Sequence, residues 1–433
     1  MLACCWFTLS AAPVSAWAAP FDSLDALSTV RVGCPWTPDQ EEQNRDTGYR
    51  DAKAVYFTAQ LPVDPGPDTY YEIEGRFPKA RYFSFQTYDG VRIGNFIDSL
   101  PDARVPPLGL DPAMTAVPTL PANPAVLPDS GGYTYTYKLR MVYDNPPARD
   151  ADRAPGTLYA RRGTQRGAVV KQLGYRVYLP NPGARATGDV GLPTITYVGP
   201  LGRIQLENTP DTNACASARA SASATGGTPG LSSGKRRPAF QALDGSFVVY
   251  PNGDAYYLQA DVSTRYGEMI VVRAKAPVVP LLPPLLEANP DVRYWSACHY
   301  DLRTSNIASC VSDRDAVLQA DGYYTFVMSP PDKRPATATA AAGYNWMVWG
   351  ASTEGRFGLR QILPSADFAG NYARARAAPL KPLDQTLGEW APQISYCDVT
   401  TFDAVSGQGG EALMAACKLA SAQPVFTLPG LLR

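Results

Sequence analysis

A nine-residue stretch occurs twice in the chain and constrains its architecture more than any other feature. Arg81–Asp89 reads RYFSFQTYD and Arg293–Asp301 reads RYWSACHYD; five of the nine positions are identical, and Trp295 stands where Phe83 does. The copies begin 212 residues apart, about half of the 433-residue chain. A period this long is domain-sized, which implies two similar domains and excludes a solenoid. In the second copy Tyr294, Ser296, Cys298 and Tyr300 fall on one face of a strand, and Trp295, Ala297 and His299 on the other. Aromatics on both faces require a strand covered on both sides. Both copies close on Tyr-Asp ahead of turn residues, Gly90 in the first and Thr304-Ser305-Asn306 in the second. Asp89 and Asp301 are therefore read as turn caps that accept backbone N–H groups.

Other landmarks recur in the same order. Tyr256–Val262 matches Tyr56–Leu61, and Glu268–Ala274 matches Glu72–Phe77. Asp321–Phe326 (DGYYTF) matches Gly131–Thr136 (GGYTYT), and Leu359–Pro364 (LRQILP) matches Tyr175–Pro180 (YRVYLP). Twenty-five Tyr, 41 Pro and 36 Gly argue for β-structure with many turns. The expected fold is mainly β: two similar antiparallel β-sandwich-like domains from an internal duplication, with a short C-terminal helix at Glu411–Ala420. The boundaries follow as a signal peptide (1–18), a first β-domain (19–208), a flexible Gly/Ser/Ala-rich linker or loop (209–238), a second β-domain (239–375) and a C-terminal tail (376–433). The RY-aromatic-S…YD strand, the DGxYT hairpin strand and the LRxxLP strand resemble those of exported bacterial proteins of unknown function that carry this duplicated β-domain. The resemblance covers most of residues 50–200 and 240–370. Its motifs are structural, and it implies no catalytic residue and no characterised family.

Met1–Ala18 has an apolar core and ends in Ala16-Trp17-Ala18, the small-x-small pattern of signal peptidase, with cleavage before Ala19. The basic n-region is missing, and a start upstream of Met1 would supply it. No later stretch is apolar over the length needed to span a bilayer, so the mature protein is expected in the periplasm or secreted, and soluble. Six cysteines then remain, an even number that suggests disulfides in an exported chain. Residues 302–306 read as a turn, so Ile307–Val311 returns beside the central strand and brings Cys310 to Cys298. Cys397 and Cys417 flank a Gly-rich turn and form a second pair. Cys34 and Cys215 pair by elimination.

The net charge of −1 gives no nucleic-acid footprint and no polybasic membrane patch. No CxxC or CxxH spacing and no cofactor motif occurs, so no metal and no cofactor is expected. His299 is the only histidine and allows at most one histidine-based triad. The single G-x-S-x-G match, Gly230–Gly234, lies in the low-complexity linker without the strand and helix that a nucleophile elbow needs, so it is accidental. The candidate catalytic groups are His299, Asp301 and Asp89, against plainer readings as a packed ring and two turn caps. Asp150-x-Asp152 and Asp313-x-Asp315 lack calcium-loop spacing and are read as solvated loop carboxylates. Tyr88, Tyr300, Trp346 and Trp349, with the Tyr133, Tyr135 and Tyr137 row, could stack on a ligand between the domains; core packing is the commoner fate of such rows. Two function classes remain: a non-catalytic cell-envelope or extracellular protein that binds a small molecule or polymer, and an exported hydrolase or lyase with Asp, Tyr and His groups in an inter-domain cleft. The first is preferred, because no catalytic constellation outweighs its plainer reading.

Overall fold

The computed structural model describes residues 36–38, 49–63, 65–89, 95–109, 135–163, 170–206, 234–243, 250–280 and 290–422. The stretch read as a signal peptide, the body of the linker, Cys34 and Cys215 lie outside the described residues.

The first half contains β1 (Thr37–Pro38), β2 (Ala54–Pro62), β3 (Tyr70–Arg76), β4 (Ala80–Asp89), β5 (Asn95–Pro101), β6 (Pro107–Gly109), β7 (Thr136–Val142), β8 (Thr157–Tyr159), β9 (Val170–Pro180), β10 (Thr194–Gly199) and β11 (Gly202–Leu206). They form two sheets, ordered β1-β2-β9-β4-β5 and β11-β10-β3-β7-β6, with β8 parallel to β7. The second half contains β12 (Gln241–Ala242), β13 (Ala255–Ser263), β14 (Met269–Lys275), β15 (Tyr294–Asp301), β16 (Ile307–Ser312), β17 (Tyr323–Ser329), β18 (Tyr344–Val348), β19 (Glu354–Ile362) and β20 (Gln393–Cys397). Its sheets are ordered β12-β13-β19-β15-β16 and β18-β17-β14-β20.

The topology repeats. The order β2-β9-β4-β5 recurs as β13-β19-β15-β16, so the two copies of the nine-residue stretch, β4 and β15, occupy the same place. In the partner sheets β10-β3-β7 recurs as β20-β14-β17, with β8 and β18 each parallel to the equivalent strand. The stretch read as a C-terminal tail thus contributes β20 to the second sandwich, antiparallel to β14. One sequence match shifts. Phe83 stacks on Tyr137 at 5.9 Å and Trp295 stacks on Tyr324 at 4.8 Å. Tyr324 therefore answers to Tyr137, where the sequence match set it against Thr134. The alternating YTYTY run offers several registers, and only the stacking partner across the sandwich selects one.

Strand patterning explains which faces are covered. In β3, Tyr71 and Ile73 enter the first core while Glu72 and Glu74 project outward, each 2.8 Å from Lys138. In β14 the run is nearly unbroken. Ile270 and Val272 enter the second core, while Met269 and Val271 pack beneath Phe402, Leu413 and Met414 of the helices Val399–Val405 and Gly410–Ala422. The Cys397–Cys417 disulfide ties β20 to the second of these helices. Closing a loop of this length contributes about 3 kcal/mol in the chain-entropy model. A second disulfide, Cys298–Cys310, joins residues directly opposite each other on β15 and β16. The first core is aromatic, with Phe83, Phe85, Tyr137 and Tyr175 in mutual contact; full burial of each such ring contributes about 1.5–3 kcal/mol. The two sheets that carry β4 and β15 also pack on each other, through Tyr82, Tyr178, Leu179, Ala255, Tyr294 and Ile362. The molecule is therefore a stack of four sheets, with β4 and β15 in the two inner layers.

Candidate functional site

Alternation in β4 and β15 fixes what meets at the middle of the stack. Phe83 and Phe85, like Trp295 and Ala297, point into their own sandwich cores. Tyr82, Gln86 and Tyr88 of one strand, and Tyr294, Ser296 and Tyr300 of the other, instead bond across to the opposite half. These bonds are reciprocal. Arg81 reaches Asp313 at 3.0 Å, and Arg293 reaches Asp102 at 2.9 Å. Tyr88 donates to the Pro251 carbonyl at 3.0 Å, and Tyr300 to the Arg50 carbonyl at 2.7 Å. Arg176 donates to the Tyr250 carbonyl, and Arg360 to the Tyr49 carbonyl. Tyr49 and Tyr250 have positive φ, 55° and 51°, in both halves. A strained conformation held at equivalent places presents each carbonyl to the guanidinium opposite.

The acids of this interface are buried. Burial pushes the Asp313 carboxyl up to about 6, with Arg81 opposing, and also raises Asp102, with Arg293 opposing. Burial lowers Arg81 in turn. Both members of the pair thus register the cost of removing charge from water. The reading of Asp313 as a solvated loop carboxylate is corrected: it follows β16 directly and is enclosed by the opposite half, as Asp102 is after β5.

The two ends of the interface differ. Ala54 and Ala255 donate to the Asp51 and Asn252 carbonyls, and Lys53 N–H and Asp254 N–H to their side chains, so Asp51 and Asn252 are equivalent. Asp51 accepts from Arg360, from Tyr294 at 2.9 Å and from Ser296 at 2.6 Å. At the other end Gln86 donates to neutral Asn252, and Arg176 donates to Tyr88 and the Tyr250 carbonyl; the buried Asp254, which accepts from Tyr82 and Ser99, feels its charge without a direct ion pair. The ends also differ in what stands beside them. A half-open cleft of about 470 Å³ lies beside Asp51, lined by Arg50, Lys53, Tyr56, Asn181, Ile307 and Arg314 among others. Ile307 begins β16 where β5 carries Phe96 near its start. Phe96 lies so close to Gly253, the counterpart of Ala52, that a Cβ there would collide with its ring.

The sequence-proposed catalytic residues do not converge. His299 points into the second core, fully buried against Trp349 with ring centroids 4.8 Å apart. A Cβ at Gly355 would collide with its ring, and neither ring nitrogen has a hydrogen-bond partner among the described residues. Burial lowers its pKa to about 4, with smaller opposing contributions from the nearby Val348 backbone and the Asp301 charge. Asp301 caps its turn, accepting from the Arg303 and Thr304 amides at 2.8 and 3.0 Å. Asp89 is instead a buried ion-pair acid, held by Lys171 and, at 3.3 Å, by Arg161. Tyr88 and Tyr300 meet the interface, whereas Trp346 bonds to Ser329 and Trp349 to Ser352, both within the second half. Tyr135 and Tyr137 are core residues, and Tyr133 lies outside the described residues. The Asp51 carboxylate lies within 4.8 Å of the sulfurs of Cys298 and Cys310, but those sulfurs are bonded to each other. Sequence reasoning missed Asp51, Asp102 and Arg176. The available signal was that Asp102 and Asp313 each follow the strand paired to a copy of the repeat.

No family model matches the chain, and no curated protein does. Among solved structures, the chain is similar to an uncharacterised protein from Burkholderia cenocepacia: 13% identity over 87% of this chain and 86% of that one, with a TM-score of 0.47. It is also similar to the VPA0106 protein from Vibrio parahaemolyticus: 12% identity over 76% and 89%, with a TM-score of 0.36. Two disulfides, and the lack of any helix among the described residues long and apolar enough to cross a membrane, are compatible with an extracellular or periplasmic location.

Proposed function

We propose that the protein is an exported, non-catalytic binding protein of the cell envelope or extracellular space that holds a small ligand where its two halves meet. The observation that carries this reading is the cleft of about 470 Å³ beside Asp51. Its size suits a small molecule or one or two units of a polymer. Its walls come from both halves: Arg50, Lys53 and Tyr56 from one, Ile307 and Arg314 from the other. The reciprocal Arg81–Asp313 and Arg293–Asp102 pairs hold these walls together, so the site is preformed and little ordering opposes binding. The hydrolase or lyase reading has less support. His299 faces the second core, Asp301 caps a turn and Asp89 is ion-paired in the first half, so they share no site.

The test is a thermal-shift and calorimetric screen of small saccharides, organic acids and short polymers on the mature protein, alongside Ile307→Trp. That variant places a large ring where Phe96 sits in the other half. A true ligand at 100 times its Kd stabilises the fold by about 2.7 kcal/mol, and Ile307→Trp abolishes the shift. A ligand whose shift survives Ile307→Trp binds elsewhere and overturns the assignment. Cell fractionation with N-terminal sequencing tests the location: a mature chain beginning at Ala19 outside the cytoplasm is expected.

A further inference from the structure

The cleft's charge is lopsided. Resting on the reading of the cleft as a ligand site, we propose that it takes its ligand through an oxyanion group, a carboxylate, phosphate or sulfate, held between Arg50, Lys53 and Arg314. Among the described residues the cleft is lined by Arg50, Lys53 and Arg314 and by one carboxylate, Asp51. That carboxylate is already engaged by Arg360, Tyr294 and Ser296. Lys53 and Arg314 lean on the same acid, Asp315, at 2.8 and 3.8 Å, so one carboxylate serves two cations.

Two guanidinium groups flank the Tyr56 ring that forms one wall of the cleft. Tyr56 lines the cleft, and the Arg176 guanidinium lies 5.3 Å from its ring centroid on the interface side. Arg176 is buried, donates to Tyr88 and to the Tyr250 carbonyl, and contributes a favourable charge to the buried Asp254. Arg50 lies 5.7 Å from the same ring. Arg50, Lys53 and Arg314 thus place positive groups on the lining of a recess with low-dielectric sides, which focuses the field on an entering anion. Arg314 is positioned as well as charged: its guanidinium donates to the Pro180 carbonyl at 2.7 Å, which holds it at the cleft rim. A planar guanidinium and an ammonium together suit the paired oxygens of an oxyanion.

The experiment is calorimetry on the full mature protein at low and moderate salt. The probes are galacturonate, inorganic phosphate and inorganic sulfate, with galactose as the uncharged counterpart of galacturonate. At least one oxyanion is expected to bind, with affinity falling as sodium chloride rises, while galactose does not. Arg314→Ala should weaken that binding at least tenfold and Lys53→Gln by a smaller factor, both with unchanged circular dichroism. Which probe binds best separates an acidic sugar from a free inorganic anion. If galactose binds as tightly as galacturonate and Ile307→Trp blocks both, the cleft is a ligand site but the oxyanion proposal is wrong. If oxyanions bind and Ile307→Trp leaves that binding intact, both assignments fall. Absence of any salt-dependent oxyanion binding at millimolar concentration also overturns the proposal.

Discussion

The two ends of the inner interface share a plan and differ in chemistry. Each has a buried arginine–aspartate pair, a tyrosine from the repeated strand bonded to a carbonyl of the opposite half, and a tyrosine held at positive φ. At one end Asp51 bonds directly to Arg360 beside an open cleft; at the other Asn252 stands in that place, Asp254 feels the Arg176 charge without a direct ion pair, and Phe96 packs on Gly253. The shared features hold the halves together, so the differences are where a ligand would act. Substitutions at equivalent positions should then have unequal effects, and those inequalities test the comparison.

The largest inequality is expected at the Asp51 and Asn252 pair. Asp51→Ala leaves Arg360 buried without a counter-charge and removes the acceptor of Tyr294 and Ser296, a loss of about 3–5 kcal/mol. Asn252→Ala removes neutral hydrogen bonds and costs about 1–2 kcal/mol. Denaturant unfolding of both variants measures the gap, and equal losses would mean that the two ends are not electrostatically distinct.

The next contrast is in pH dependence. The seventh position of the repeat is His299 in one half and Thr87 in the other; Thr87 donates to the Tyr159 carbonyl and does not titrate near neutrality. The folded His299 pKa of about 4 lies below its unfolded value of 6.5. Between these values the unfolded ring binds a proton that the folded ring does not, so stability rises with pH across that window. The contribution is on the order of 3 kcal/mol, present above pH 6.5 and lost as pH falls towards 4. Asp313, raised to about 6 by burial, works in the opposite direction between its unfolded value of 3.8 and pH 6. Because Asp313 is common to the parent and His299→Thr, the difference between their stability–pH curves isolates the ring. A difference that is flat from pH 4.5 to 7 would show that the ring is hydrated or hydrogen-bonded.

A steric contrast is smaller. Gly253→Ala drives a Cβ into the Phe96 ring and should cost about 1–3 kcal/mol unless the ring swings out. Ala52 already carries that Cβ at the equivalent place beside the cleft. Gly253→Ala combined with Phe96→Ile should recover most of the loss and open a second recess. Failure of that rescue would mean that Phe96 does not close the second end.

What the sequence disclosed follows from how each contact is encoded. The architecture was legible because the strands at the centre are built from residues that alternate and recur: Tyr82, Ser84 and Tyr88 against Tyr294, Ser296 and Tyr300. The Cys298–Cys310 pair was legible because a turn brings adjacent strands together within a few residues. The site was less legible, because its partners are far apart in the chain. Nothing local to Asp51 points to Arg360, and nothing local to Arg81 points to Asp313. His299 drew attention by being unique, yet its place in the alternation, on the same face as Trp295, already aimed it at the core. Tyr88 and Tyr300 have the sequence context of ligand-stacking residues, but their hydroxyls bond to the opposite half's backbone.

The smallest predicted effect concerns a pair whose charge order is reversed between the ends. Lys53 bonds to Asp315 at 2.8 Å across the interface. The equivalent places at the other end hold Asp254, which accepts from Tyr82 and Ser99, and Arg104, which is ion-paired with Asp150 and adds a longer-range favourable charge to Asp254. Both Lys53 and Asp315 are partly exposed, so the pair contributes at most about 1 kcal/mol and is screened by salt. Lys53→Asp alone places a new carboxylate beside Asp315 and near Asp51, a loss of about 1 kcal/mol that shrinks as salt is added. Adding Asp315→Arg restores an opposite-charge pair in the order used at the other end, and stability should return to within about 0.5 kcal/mol of the parent. The double variant also leaves Asp where the cleft had Lys53, so oxyanion binding should weaken although the fold recovers. Recovery of stability with undiminished oxyanion binding would show that Lys53 serves the interface alone and leave Arg50 and Arg314 as the cations that matter in the cleft.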